Sequence, residues 1–371
     1  MLQLLRKLLF AATFTSHLAS AKTFNPSTES ECTTVRLDQH PGALSKIPIQ
    51  DQDGNSLCTA YAASQLIDSW RIQNDPPVHE FTSPFALGIK YSSLRNRNEL
   101  YALPPEDVLN AAKNISPCSY SSVGDYFQSQ MSTMDLLNEL DRAHRSANSN
   151  PAQLMAAASK VQSCFVRNDT SSGALDISAI SRHLRESTFV RATQNILEGV
   201  CKDRKVSLKN IPSGAEKLAT EYGHLPTAMN EFKKIISRRL QSQPGKATGT
   251  SFCRDVFFDA DKRSLLSTGG FTVSPTAASS LKARYEVSPN GCSDDVHNAV
   301  VVGRRLARFR QPDGKIGSVC QYLIRDSYGT SCNPFPPDNS TTPSTRCERG
   351  QIWVDEDAFL ANVGRVFHLR D

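Results

Sequence analysis

The sequence has no block of Lys or Arg, although it carries 42 Lys+Arg against 37 Asp+Glu and a formal charge of +5. The nearest approach is Lys233-Lys234 with Arg238-Arg239, which helical spacing places on one face of a helix. A charge this diffuse does not make a nucleic-acid surface. After residue 21 no segment is apolar over the roughly 18–20 residues a membrane span needs. The phosphate-cradling patterns G-x-x-x-x-G-K-[ST] and G-x-G-x-x-G are missing, so nucleotide binding has no support. C-x-x-C, H-E-x-x-H and close His/Cys clusters are missing too, which leaves no zinc site to propose. The lack of G-x-S-x-G removes the simplest serine-hydrolase reading. No internal repeat is visible.

What the chain does have is 371 residues, 39% of them hydrophobic, and ten cysteines. That length suits one large or two medium domains with a substantial core. Met1 to Ala21 has a basic start at Arg6-Lys7, a short apolar stretch over Leu8–Ala12 and a small-residue ending at Ala19-Ser20-Ala21. This is the pattern of a cleavable secretory signal, so the mature chain is expected to begin at residue 22 and to be secreted or periplasmic. All ten cysteines lie beyond it, in a compartment that permits disulfides.

Residues 22–46 read as a polar N-terminal segment broken by Pro26 and Pro41-Gly42. Ala62, Leu66 and Trp70 then recur at helical spacing, with Asn55 or Ser56 as candidate caps and Asn74-Asp75-Pro76-Pro77 as a stop. From about 105 to 242 helix signals dominate. Ser132 or Thr133 opens one helix, Pro151 another running to Ser163, and Leu175, Ile177, Ile180 and Leu184 mark a third. Phe232, Ile235, Ile236 and Leu240 form a last apolar face before Pro244-Gly245. Beyond residue 245 the pattern is strand-like: Val300-Val301-Val302 and Ser318–Ile324 flank Pro312-Asp313-Gly314, predicting a long hairpin over 297–326. Helices first and strands last imply an α+β fold.

Cys58 falls at the start of the predicted helix. A thiol there meets the positive end of the helix dipole and free N–H groups, both of which favour the thiolate. Taken alone, a secreted cysteine is more often half of a disulfide. His297 opens a buried strand, however, and Asp326 ends the next one, so a Cys, a His and an Asp each sit at an element end.

In this order the residues resemble the papain-like cysteine peptidases. Gln52 precedes Cys58 by six residues, as the family's glutamine precedes its nucleophile. Cys58-Thr59-Ala60-Tyr61-Ala62 is similar to the family's Cys-Trp-Ala-Phe-Ala, and His297 through Gly303 to its His-Ala-Val…Val-Gly strand. Asp326-Ser327-Tyr328-Gly329-Thr330 is similar to Asn-Ser-Trp-Gly-Thr, and Gly350-Gln351-Ile352-Trp353-Val354 to the closing Gly-Tyr-Ile strand. The resemblance implies a helical left domain carrying the nucleophile and a β-barrel-like right domain carrying His and Asp, together spanning 47–371. It implies Cys58 as nucleophile, His297 as general base and then acid, Asp326 as the residue orienting His297, and Gln52 as an oxyanion donor. Tyr328 would shield the His–Asp bond, and Gly173 is the candidate for the family's cleft-lining glycine. Implied with them are a polypeptide substrate, a monomer and no cofactor, metal, nucleic acid or membrane once the signal is gone.

Several positions depart from the family. Asn55 stands where the family has a cysteine, so its disulfide beside the site should be missing, and Thr59 replaces the aromatic. Asp326 replaces asparagine, and a carboxylate there should raise the basicity of the imidazole. His297 lies 239 residues after Cys58, against roughly 130–150 in papain and cathepsins. The surplus is expected as a helical insertion at about 105–225, beside the cleft or as a surface elaboration. Two other functions fit the same residues: a Cys-His-Asp amidase or acyltransferase acting on a non-protein amide, and a non-catalytic papain-like binding or inhibitory protein. With Cys58 set aside nine cysteines remain, enough for four bridges at most, with Cys332–Cys347 the one expected pairing.

Overall fold

Val300, Val301 and Val302 are buried, as are Tyr322, Leu323 and Ile324 on the neighbouring strand. Such continuous apolar runs suit strands covered on both faces. The computed structural model describes residues 32–52, 56–97, 100, 103–124, 132–147, 150–165, 176–202, 204–212, 214–219, 226–253, 296–310, 316–332, 346–360 and 362–370. The expected signal segment, Gly173, the Pro312–Gly314 turn and the loop between Cys332 and Cys347 lie outside the described residues.

The eight strands are β1 (Val35–Arg36), β2 (Ala215–Ala219), β3 (Thr248–Cys253), β4 (Val296–Arg310), β5 (Ile316–Arg325), β6 (Arg346–Glu348), β7 (Gln351–Asp355) and β8 (Val363–Leu369). They form one antiparallel sheet in the order β2-β8-β3-β4-β5-β7-β6, with β1 also on β4. The described ladders leave β2 and β6 as the two ends of this path, so they do not close it into a barrel. The predicted 297–326 hairpin is β4 and β5, paired from Val300↔Arg325 to Arg310↔Ile316.

Ten helices are described: α1 (Cys58–Asn74), α2 (Pro84–Leu94), α3 (Pro105–Ala112), α4 (Tyr120–Gly124), α5 (Thr133–Ser146), α6 (Pro151–Ser163), α7 (Ile177–Leu184), α8 (Phe189–Cys201), α9 (Pro226–Gln241) and α10 (Glu356–Leu360). Helix α1 is buried from Thr59 to Ser69. It packs on β4, β3 and β8 on one side and on α2 and α3 on the other. Helices α5 to α8 stack on one another and reach α1 by way of α8 on α2. Ser132 caps α5 by accepting from Asp135 N at 3.0 Å, and Asn150 caps α6 from Gln153 N at 2.9 Å, just ahead of Pro151.

The fold departs from the sequence reading in three places. Ser56 does not cap α1; Leu57 holds the cap position and makes no side-chain bond there, and the other candidate cap, Asn55, lies outside the described residues. The N-terminal segment expected as loop contributes β1 and a 3-10 turn at Ala43–Ser45, because β4 outruns β3 and its exposed ladder is taken up by Val35↔Arg304 and by Leu37 N to Val302 O at 2.8 Å. Strand β2 lies inside the stretch dominated by helix signals and pairs with β8 from Ala215↔Leu369 to Ala219↔Arg365. The basic residues of α9, placed on one helix face by their spacing, differ in their surroundings. Arg239 is buried with Nε 3.4 Å from Ala247 O, and Lys233 pairs with Glu356 at 2.5 Å.

Buried polar groups tie the layers together. Arg304 on β4 grips Glu356 at the start of α10 through Nε (2.7 Å) and Nη2 (3.0 Å). Arg325, the last residue of β5, is buried and donates to the carbonyls of Leu44 (3.0 Å) and Ile47 (2.8 Å). Three disulfides are described: Cys32–Cys320, Cys118–Cys201 and the expected Cys332–Cys347. Cys58 and Cys164 are free thiols. The side chains of Cys253 and Cys292 lie outside the described ones.

Strands β6 and β7 meet in a two-residue turn in which Arg349 (φ 52°) and Gly350 (φ 74°) both lie in the left-handed region, as a type I′ hairpin requires. A Cβ on Gly350 would sit 1.8 Å from the carbonyl oxygen of Gly329, three residues past Asp326. Gly350→Ala should therefore destabilise the protein by more than about 1 kcal/mol; a denaturant midpoint equal to that of the unsubstituted protein would contradict this packing.

Candidate active site

Helix α1 begins at Cys58, so the thiol sits on the first turn, where backbone N–H groups have no intrahelical acceptor. No acidic side chain occupies that turn to oppose a thiolate. Cys58 is half-buried. Strand β4 faces this helix end and brings His297, its second residue, to the sulfur. Strand β5 runs antiparallel to β4, so the end of β5 lies beside the start of β4, and Asp326 follows immediately. The fold thus converts separations of 239 and 29 residues into one contact chain.

His297 Nε2 lies 2.5 Å from Asp326 Oδ1, and both side chains are buried. The same carboxylate oxygen accepts from the Ser327 backbone N–H at 2.7 Å. With Nε2 committed to Asp326, Nδ1 is the ring nitrogen left for Cys58. Tyr328 stacks on the imidazole at 5.6 Å between centroids and 14° between planes. Phe252 of β3 meets the ring edge-on at 5.6 Å and 87°. The imidazole is clamped between two aromatic rings while its charge-bearing nitrogens face Asp326 and Cys58.

The electrostatics follow from these contacts. Burial alone would disfavour the imidazolium, but the charge and hydrogen bond of Asp326, then the Cys58 sulfur, carry the pKa of His297 up to about 10. Burial would likewise raise the Cys58 thiol. The hydrogen bond and charge of His297, with the side-chain and backbone N–H groups of Asn298, outweigh it and hold the thiol below its ordinary value. A raised base beside a lowered thiol is the condition for a thiolate–imidazolium pair.

Gln52 joins this group through Ser327. Its side-chain oxygen accepts from Ser327 Oγ, and its backbone N–H donates to Ser327 O at 2.7 Å. Gly329 N donates to Gln50 O at 3.2 Å, so the 50–52 segment lies antiparallel along 327–329. The structure therefore brings Cys58, His297, Asp326, Tyr328 and Gln52 together; Gly173 lies outside the described residues.

Sequence reasoning passed over Asn298, Ser251, Phe252 and Ser327. Asn298 donates from Nδ2 toward Cys58 Sγ at 3.6 Å and to Thr59 Oγ1 at 2.9 Å. The available signal was an amide inside the apolar run Val296–Val302, where a buried polar group needs a partner. Among the described residues no group of His, Cys, Asp and Glu could hold a metal ion.

No family model matches the chain, and no curated protein matches it. Among solved structures it is similar to PepW from Lactobacillus rhamnosis, at TM-score 0.46 and 11% identity over 100% of this chain and 91% of that one. It is similar to SERA5E from Plasmodium falciparum at TM-score 0.41 and 10% identity, covering 90% and 93% of the two chains. A third is xylellain, a cysteine protease from Xylella fastidiosa, at TM-score 0.39 and 12% identity over 94% and 90%. Similarity at this level carries no functional inference, and the chemistry rests on the residues themselves.

Because the folded-state pKa of His297 is raised above an unfolded value of about 6.5, the His–Asp pair stabilises the fold fully below that pH. The contribution is lost as pH rises through about 10. Asp326→Asn should lower the His297 titration by at least about one pH unit when the ring is followed by NMR. A titration that stays near the unsubstituted value would remove Asp326 as its cause.

Proposed function

We propose that the chain is a thiol-dependent peptidase that cleaves peptide bonds through an acyl-thioester on Cys58. The observation that carries this reading is the convergence of the Cys58 thiol, held below its usual pKa, with a His297 that is hydrogen-bonded to the buried Asp326. In the resting site the proton sits on His297 and the negative charge on sulfur. The thiolate attacks the substrate carbonyl, forming a C–S bond. His297 then gives its proton to the departing amine as the C–N bond breaks. In the second half, neutral His297 takes a proton from water, the hydroxide attacks the thioester carbonyl, and the C–S bond breaks to release the acid, leaving the thiolate beside the imidazolium as at the start.

The tetrahedral oxyanion needs donors aimed at it. The Cys58 backbone N–H at the helix start supplies one, and the Gln52 side-chain amide, turned by the bond its oxygen accepts from Ser327, supplies the other. Such a donor is worth roughly 3–4 kcal/mol in the transition state. Asp326 holds the tautomer, and Tyr328 and Phe252 keep water from the His–Asp bond. In this reading the substrate is a polypeptide, the enzyme acts as a monomer without a cofactor, and its three described disulfides suit an oxidising extracytoplasmic compartment.

A thiol-reactive epoxide should label Cys58 selectively at pH 6, and His297→Ala should abolish that labelling. On a peptide library the same variant should lose about 10²–10⁴-fold in turnover. Epoxide labelling that survives His297→Ala, or a library left intact by the unsubstituted protein, would refute the assignment.

A further inference from the structure

The proton inventory around Asn298 determines which way its amide points. Thr59 Oγ1 donates its single hydrogen to the carbonyl of Leu103 at 2.8 Å, and a carbonyl can only accept. Toward Asn298, 2.9 Å away, Thr59 must therefore be the acceptor, so the group facing it is the amide nitrogen. On the other side Ser251 Oγ donates to Asn298 Oδ1 at 2.5 Å. The amide is held at both ends by buried hydroxyls, and Ser251, Thr59 and Asn298 are all buried. An NH2 group has two hydrogens. One goes to Thr59, and the other faces Cys58 Sγ at 3.6 Å, a contact length for an N–H on the larger sulfur atom.

We propose that the Asn298 amide is a catalytic group of this site: a second, neutral donor to the Cys58 thiolate, held in place by Ser251 and Thr59 as positioning residues. The proposal rests on Cys58 acting as a thiolate, and it assigns a role to a residue that the His297, Asp326 and Gln52 set does not include. Its chemical value lies in being uncharged. When His297 gives up its proton to the leaving amine and later takes one from water, the Asn298 donor is unaffected, and it stands ready beside the sulfur for the thiolate released at the end of each cycle. Thr59, which stands where the resembling family has an aromatic residue, thereby has a task of its own. It accepts from the amide and passes its hydrogen to Leu103, just ahead of α3.

The surroundings supply few competing charges. From β4 the sulfur meets His297, backed by Asp326 from the end of β5. Helix α1 brings no acidic group to its first turn, and β3 faces the site with the neutral Ser251 and Phe252. Loss of a neutral donor should therefore show as a shift in the charging of Cys58 itself.

The test is the pH dependence of Cys58 alkylation by iodoacetamide in the full chain, read by site-resolved mass spectrometry so that Cys164 does not contribute. Asn298→Ala should move the acid limb of Cys58 alkylation upward by about one to two pH units, the shift expected from losing a hydrogen bond to a charged acceptor. Asn298→Asp keeps the shape but places a carboxylate beside the sulfur, and should move the limb at least as far. Ser251→Ala leaves Asn298 in place but frees it to rotate, and should give a smaller shift in the same direction. An unchanged limb in any of these folded variants overturns the proposal, and Ser251→Ala retains its reading if both Asn298 variants fail to fold. An ordinary thiol limb near pH 8.5 in the unsubstituted protein would sink the thiolate reading together with this one. A limb that moves in His297→Ala but not in Asn298→Ala would sink this one alone.

Discussion

The buried bond between His297 and Asp326 is the constraint on which the site depends. A carboxylate sequestered beside an imidazole makes the protonated ring the favoured form in a place where burial alone would forbid it. The lowering of the Cys58 thiol follows from that, since a half-buried sulfur anion needs a cation against it. Asp326 in turn depends on its immediate setting: it accepts from Ser327 N, and its other oxygen has no hydrogen-bond partner among the described residues. A carboxylate with one unpartnered oxygen in the interior is costly, and the rings of Tyr328 and Phe252 against His297 keep that cost from being relieved by water.

The surrounding architecture serves to hold three chain segments in register. Arg325, next to Asp326, spends its donors on the carbonyls of Leu44 and Ile47, so the N-terminal segment that runs on to Gln52 is strapped to the end of β5. Gln52 and Gln50 then pair with Ser327 and Gly329. Arg304 and Glu356 perform a similar service deeper in the sheet, locking β4 to α10. Removing Arg304 would leave buried Glu356 with Lys233 alone, and removing Arg325 would leave two carbonyls without their donors, so neither arginine is interchangeable with a neutral residue.

Much of this was legible where local chemistry decides the outcome. Asn74-Asp75-Pro76-Pro77 ends α1 because proline cannot continue a helix, and Ser132 and Pro151 open theirs by capping and by a preset φ. Cys58, His297 and Asp326 were visible because each stands at the end of an element. Features set by distant partners were not legible. Ala215–Ala219, with its Glu, Lys and Leu, favours a helix by propensity, and it is a strand because β8 offers an unpaired edge. Val35-Arg36 is too short to show any period. Cys32 pairs with Cys320 across 288 residues, which spacing cannot reveal, whereas Cys332–Cys347 closes a local loop of 15. Asn298 was hidden for a related reason, because its partners Ser251 and Thr59 come from β3 and α1.

The 239 residues between Cys58 and His297 also measure time. A ribosome adding about 5–20 residues per second completes Cys58 roughly 10–50 s before it reaches His297. Through that interval the sulfur has neither its imidazolium nor its amide donor, and β4, the strand that covers α1, does not yet exist. The nascent thiol is therefore an ordinary one, slow to react with peptides and slow to exchange with the cysteines emerging behind it. Its imidazole and amide neighbours arrive only when β4 and β5 join the sheet, so under the peptidase reading the long separation keeps the sulfur dormant until most of its own chain has been made.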